Sequence, residues 1–153
     1  MESLELKVPP PLAALFFALL MWLASLLIAP LEVPLAFGVT AALVLAGVGV
    51  SLAISGIASF RRAQTTINPF KPAEASSLVC GGIYRFTRNP MYLGLVIDLL
   101  AWAVFLSNVL ALLVIPIFVL YINRSQVIPE ERALTSLFGD EFAAYKAKVR
   151  RWL

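Results

Sequence analysis

Two long stretches of this chain, Leu12 to Ala29 and Leu35 to Phe60, carry no ionisable side chain. A helix needs about 20 apolar residues to cross a bilayer. In lipid only a helix or a closed barrel satisfies its own backbone hydrogen bonds. The 153 residues leave room for about four crossings and one modest polar module, and a large soluble catalytic domain does not fit. The chain is 61% hydrophobic and 14% charged, against about 45–50% and 25% in ordinary globular domains. That composition excludes a soluble globular protein. Glu2 and Glu5 beside a lone Lys7 argue against a cleavable leader, which wants a positive start, so the first run is read as a retained span.

The second run contains Gly38, Gly47, Gly49 and Gly56, and small residues at that density let neighbouring helices approach closely. Two further apolar stretches, Tyr92 to Leu106 and Val109 to Ile122, are separated only by Ser107 and Asn108 and predict a tight helical hairpin. Asn89-Pro90 starts its first arm a turn earlier, because Asn is a good N-cap and Pro is favoured at the first helical position. The expectation is an all-α integral membrane protein of one domain over 1–153, with spans at about 12–29, 35–60, 90–106 and 109–123. A loop at 61–89, punctuated by Asn68-Pro69, Lys71-Pro72 and Gly81-Gly82, joins the two halves. A C-terminal amphipathic helical tail covers 129–153, with Leu134, Leu137, Phe138, Phe142, Tyr145, Val149 and Trp152 at helical spacing. Gly139-Asp140 predicts the end of one helix and the capping of another.

Every Lys and Arg except Lys7 lies in the central loop, the end of the fourth span or the tail, and none lies in the two short turns. The positive-inside rule then makes the loop, the tail and both termini cytoplasmic. The net charge of +3 reads as membrane orientation, not nucleic-acid binding. Lys146, Lys148, Arg150 and Arg151 beside Trp152 suit a helix at an anionic lipid surface.

The chain has no histidine and a single cysteine, Cys80, which removes Ser-His-Asp and Cys-His triads, His-based zinc sites and any intrachain disulfide. No metal site is expected. Chemistry falls to carboxylates, guanidinium groups, tyrosines, amides or a bound cofactor. Two clusters qualify. Gly81 to Gly94 gathers three glycines, Arg85 and Arg88, and Tyr84 and Tyr92 at the start of the third span, where backbone N–H groups and guanidinium groups suit an anionic ligand. Glu130-Glu131 follows Pro129 where the fourth span gives way to the tail, and on its own reads as acids favoured by a helix start. The hairpin returns the second cluster to the membrane face of the first, so a zwitterionic ligand is matched there.

These residues also carry a resemblance. Gly-x-Tyr-Arg-x-x-Arg-Asn-Pro-Met-Tyr-x-Gly, followed after one hairpin by Pro-Glu-Glu-x-x-Leu-x-x-x-Phe-Gly-x-Glu-Phe-x-x-Tyr, resembles the isoprenylcysteine carboxyl methyltransferases and their bacterial relatives, over about residues 80 to 152. The resemblance implies S-adenosylmethionine bound at the cytosolic side, with S-adenosylhomocysteine as product and a lipophilic or lipid-modified acceptor arriving from the bilayer of a bacterial inner membrane. It points to Tyr84, Arg88, Asn89, Pro90, Tyr92, Gly94, Glu130 and Glu131 for the cofactor. Asn89 stands where the family commonly has His, so an amide replaces an imidazole.

Methyl transfer from a sulfonium to a carboxylate needs no general base, which suits a histidine-free chain. An amine acceptor, as in phospholipid N-methylation, must lose a proton to Glu or Tyr. Arg124, at the cytoplasmic end of the fourth span, is a candidate to position an anionic acceptor, with a snorkelling anchor as its alternative. Glu131 is the matching candidate among the acids. Asp98 is the only ionisable residue other than Tyr inside a predicted span and so a catalytic candidate, or a hydrogen-bond partner for Trp102 or a Ser. Four spans with one intramembrane acid also fit a small proton-coupled transporter, which leaves both clusters unexplained.

Overall fold

The computed structural model describes residues 6–65 and 76–153. Glu2, Glu5, Asn68-Pro69 and Lys71-Pro72 lie outside the described residues. Those described form α-helices and turns without a strand. The helices are α1 (Pro10–Ser25), α2 (Leu35–Arg62), α3 (Pro90–Leu106), α4 (Val109–Ile122) and α5 (Ile128–Lys148), with a 3-10 turn at Gly82–Arg85. By length and apolarity, α2 and the run containing α4 suffice to cross a bilayer, while α1 and α3 are shorter apolar helices.

The hairpin forms as its residues dictate. Ser107 takes a left-handed conformation (φ 47°) to end α3, and the Asn108 side chain accepts a hydrogen bond from the Leu110 amide (2.9 Å) to cap α4. Asn89 occupies the cap position of α3 but makes no capping bond; its amide nitrogen donates elsewhere, as described below. Helix α1 stops at Ser25, four residues before the expected end of its apolar run.

The larger departure concerns α4 and α5. A π-helical turn, Asn123–Val127, joins them, and Ile122, Val127 and Ile128 all hold helical dihedrals. Glu130 and Glu131 therefore lie within a continuous helical run, with no free helix start nearby. Simple dipole capping does not explain them. The expected break at Gly139 is present, with φ 45° and ψ −117° interrupting α5.

Helix α3 is the centre of the packing, with α2 on one side and α1 and α4 on the other. Against α2 the contact is backbone to backbone: a β-carbon at Gly94 would lie 2.6 Å from the Gly49 carbonyl, and one at Gly56 would lie 2.7 Å from Met91 Cγ. On the other side Phe17 meets Phe118 edge to face, with ring centroids 5.2 Å apart, beside the fully buried Met21 and Ile122. Trp102 Nε1 donates to the Ala18 carbonyl (3.0 Å). Leucines such as Leu15, Leu35, Leu113 and Leu120 project outward from α1, α2 and α4. At the far end Asn108 Nδ2 donates to the carbonyls of Ser25 and Ile28. At the near end Gln126 Nε2 donates to Val8 (2.9 Å), which brings the start of α1 against the π-turn.

Candidate functional site

A cavity of about 330 Å³ opens where α2, α3 and α5 converge, within the range for small-molecule sites. One part of its wall is apolar, from Ala53, Ile57, Phe60, Met91, Leu95 and Val127. The other gathers Tyr84, Arg88, Asn89, Tyr92, Glu130 and Glu131. Residues 38 or more positions apart thus meet because α3 and α4 return the chain to its starting face: the Tyr92 hydroxyl donates to Glu130 Oε1.

The two glutamates differ in their surroundings. Glu131 is held by Arg151, whose Nη2 lies 2.7 Å from Oε2 and whose Nε donates to Oε1 at 3.1 Å. Arg88 Nη1 also lies 3.1 Å from Glu131 Oε1, but it is not aligned as a hydrogen bond: Arg88 Nε and Nη1 are buried without hydrogen-bond partners. Glu130 accepts from the Tyr92 hydroxyl. Burial, the dominant effect, pushes its carboxyl up to about 7 against the opposing pull of the Tyr92 bond, and Glu131 adds to the rise. The Arg151 guanidinium is pushed up, chiefly by its hydrogen bonds to Glu131. Burial also raises the phenols of Tyr84 and Tyr145, which keeps both protonated.

A strap after α5 closes the polar side. The Arg150 carbonyl accepts from the Arg88 amide (3.1 Å), and the Arg151 carbonyl accepts from Asn89 Nδ2 (2.9 Å) and Thr87 Oγ1 (3.3 Å). The Tyr145 hydroxyl donates to the Tyr84 carbonyl at 2.7 Å. Asn89 thus spends its amide donor on the strap.

The remaining sequence candidates lie elsewhere. Pro90 is buried against α2, and Gly94 faces Gly49, so its small size serves helix packing. Arg124 is exposed and does not line the cavity. Asp98 also lies outside it, packed against Gly49 with Oδ1 unpartnered, and the Trp102 indole is already bonded to Ala18. Arg151, read from sequence as a lipid-surface residue, turns inward onto Glu131. Lys146, Lys148 and Arg150 remain exposed. Cys80 is a half-buried free thiol, pushed up first by burial and then by Glu141, which opposes thiolate chemistry. Sequence reasoning missed the contributions of Phe60, Phe142, Tyr145 and Arg151. The helical spacing of Phe142 and Tyr145 was the available signal for two of them.

A sequence profile of the phospholipid methyltransferase family matches residues 37–141. A Haemophilus influenzae protein described only as uncharacterized is 56% identical over 63 residues, covering 41% of this chain and 100% of that protein. The Schizosaccharomyces pombe protein-S-isoprenylcysteine O-methyltransferase is 33% identical over 72 residues, 47% of this chain and 30% of the yeast protein. No solved structure matches.

Proposed function

Because the chain belongs to the phospholipid methyltransferase family and is isoprenylcysteine methyltransferase-like, and is on that footing a membrane methyltransferase, we propose that it uses S-adenosylmethionine to methylate a lipophilic carboxylate at the cytoplasmic edge of a bacterial inner membrane. The observation that carries this reading is that Arg88 and Glu130 line one largely apolar cavity. Arg88, ion-paired with Glu131, presents buried N–H groups without hydrogen-bond partners, and Glu130 presents a carboxyl bonded to the Tyr92 hydroxyl. Such a pair fits the amino-acid end of the cofactor, with Arg88 toward its carboxylate and Glu130 with Tyr92 toward its ammonium. When bound, the cofactor supplies a methyl group on an already activated sulfonium.

The chain's own residues then bind, orient and exclude water. Tyr84, Phe60, Phe142 and Tyr145 supply aromatic wall near the polar groups. Alignment of acceptor and methyl group is worth up to about 7–11 kcal/mol in favourable cases, and a carboxylate acceptor leaves no proton to remove. Arg124 is exposed, so positioning of the acceptor falls to cavity residues in this reading. The apolar wall formed by α2 and α3 suits a lipophilic acceptor. Four crossings, with cavity, loop and tail on the cytoplasmic side, place the exposed Arg61, Arg62, Arg85, Lys146, Lys148 and Arg150 where the positive-inside rule wants them.

One observation favours an amine acceptor as a second reading: a carboxyl with a pKa of about 7 in the cavity is suited to take the proton an amine must lose. Calorimetric titration of the detergent-purified protein with S-adenosylmethionine or S-adenosylhomocysteine, with NADPH as control, tests the reading. Binding of the first two, abolished by Arg88→Ala, is expected. Folded protein that binds neither overturns it, and comparison of carboxylate and amine lipids in a methyl-transfer assay then separates the acceptors.

A further inference from the structure

Arg88 and Glu131 form an ion pair at 3.1 Å and yet share no hydrogen bond. Arg151 takes up the same carboxylate. Its planar guanidinium meets both Glu131 oxygens, at 3.1 Å and 2.7 Å, in the forked geometry that makes Arg–carboxylate pairs directional. A carboxylate so engaged has its orientation fixed by Arg151, and Arg88 keeps its Nε and Nη1 donors free. The strap fixes Arg151 in turn, since its carbonyl is tied to Asn89 and Thr87. Without the fork, Glu131 is free to rotate until it accepts from the Arg88 N–H groups that now face the cavity unbonded.

We propose that Arg151 is a positioning residue that sequesters Glu131, leaving Arg88 available to the carboxylate of the bound ligand. The inference rests on the reading of the cavity as a methyl-donor site. It makes Glu131 a latent competitor for the Arg88 donors, a role opposite to that of the adjacent Glu130. A merely structural Arg151 has no such consequence, because removing a second partner then only adds damage.

The test is a suppressor experiment with S-adenosylhomocysteine as the probe. Arg151→Gln is expected to weaken binding roughly 10-fold, the low end for a charge-assisted hydrogen bond because the Arg151 side chain is 37% exposed. Adding Glu131→Gln to that variant removes the competing charge and is expected to restore affinity to within about 3-fold of the wild type, a departure from additivity that identifies direct coupling. Arg151→Lys keeps the charge without the fork and is expected to fall between the wild type and Arg151→Gln, which keeps the test open if the glutamine variant does not fold. In ligand-free protein labelled with 15N-arginine, the Arg88 Nε–H resonance, assigned by Arg88→Lys, is expected to move in the single glutamine variant and return in the double. Wild-type affinity in Arg151→Gln and Arg151→Lys, or a double variant no tighter than the single, overturns the proposal. If the wild type binds no S-adenosylhomocysteine, the donor-site reading fails, and the resonance alone decides whether Arg151 holds Glu131 off Arg88.

Discussion

Glu130 gives the site a pH dependence that can be worked out from its surroundings. Its carboxyl titrates at about 7 in the ligand-free cavity, raised from an ordinary 4.5 mainly by burial. A bound ammonium group favours the carboxylate, so ligand must displace a proton when the pH lies below that value. Apparent affinity then weakens by about 15-fold between pH 7 and pH 5.5, a window in which an α-ammonium group stays protonated. At pH 7 binding releases about half a proton, readable by calorimetry in buffers of different ionisation enthalpy. The chain has no histidine, so no side chain of ordinary pKa between 6 and 7 competes for the assignment. Stability carries the same group with its own sign. Below pH 4.5 the carboxyl is protonated in both folded and unfolded chains, and the folded state holds its proton more tightly. As the pH rises from 4.5 through 7 the ligand-free fold therefore loses about 3 kcal/mol. Glu130→Gln removes that slope and weakens S-adenosylhomocysteine roughly 10–100-fold at pH 7. Affinity that stays flat from pH 5.5 to 7, or a glutamine variant that binds like the wild type, refutes the assignment of Glu130 to the ammonium.

Three other outcomes follow from the geometry. Gly94→Ala places a β-carbon 2.6 Å from the Gly49 carbonyl and 3.3 Å from the Ala53 amide nitrogen, so it is expected to cost about 1–3 kcal/mol of stability, seen as a lower thermal midpoint in detergent. Gly49→Ala, away from the motif, is expected to do the same, and a normal midpoint with lost donor binding in Gly94→Ala would show that the glycine acts at the site instead. Tyr145→Phe removes the hydrogen bond to the Tyr84 carbonyl and is expected to destabilise by about 0.5–1.5 kcal/mol, measured by chemical unfolding. Asp98→Asn and Arg124→Gln are each expected to leave S-adenosylhomocysteine affinity within about 2-fold of the wild type, since neither side chain lines the cavity; a large loss in a calorimetric titration of either variant contradicts that placement.

Local chemistry made much of the fold readable in advance. Asn108 caps α4, Ser107 turns the hairpin, and the glycines of α2 sit where α3 comes closest, because propensity and packing agree at each of these positions. That the cluster around Arg88 and Tyr92 meets Glu130 and Glu131 was legible because a helical hairpin must bring its ends together. What escaped the sequence depended on direction. Periodicity locates Arg151 and Arg124 but does not reveal which side of a chain end they leave from, and one turned inward while the other stayed exposed. Gly94 belongs to the same motif as Tyr92, yet two residues on a helix point about 200° apart, and that rotation carries it from the cavity to α2. The π-turn left no pattern of hydropathy to betray it, so Pro129 read as a helix start although the backbone never stops being helical.

The strap also fixes when the site can come into being. Asn89 waits for a carbonyl 62 residues downstream, and at about 5–20 residues per second that partner emerges roughly 3–12 s after the asparagine. For that interval Arg88 and Asn89 are without the groups that order them, while α3 and α4 are already able to pair. Ordering of this face of the cavity thus waits on the tail, and in the proposed reading a nascent chain takes up a methyl donor only once Arg151 has docked.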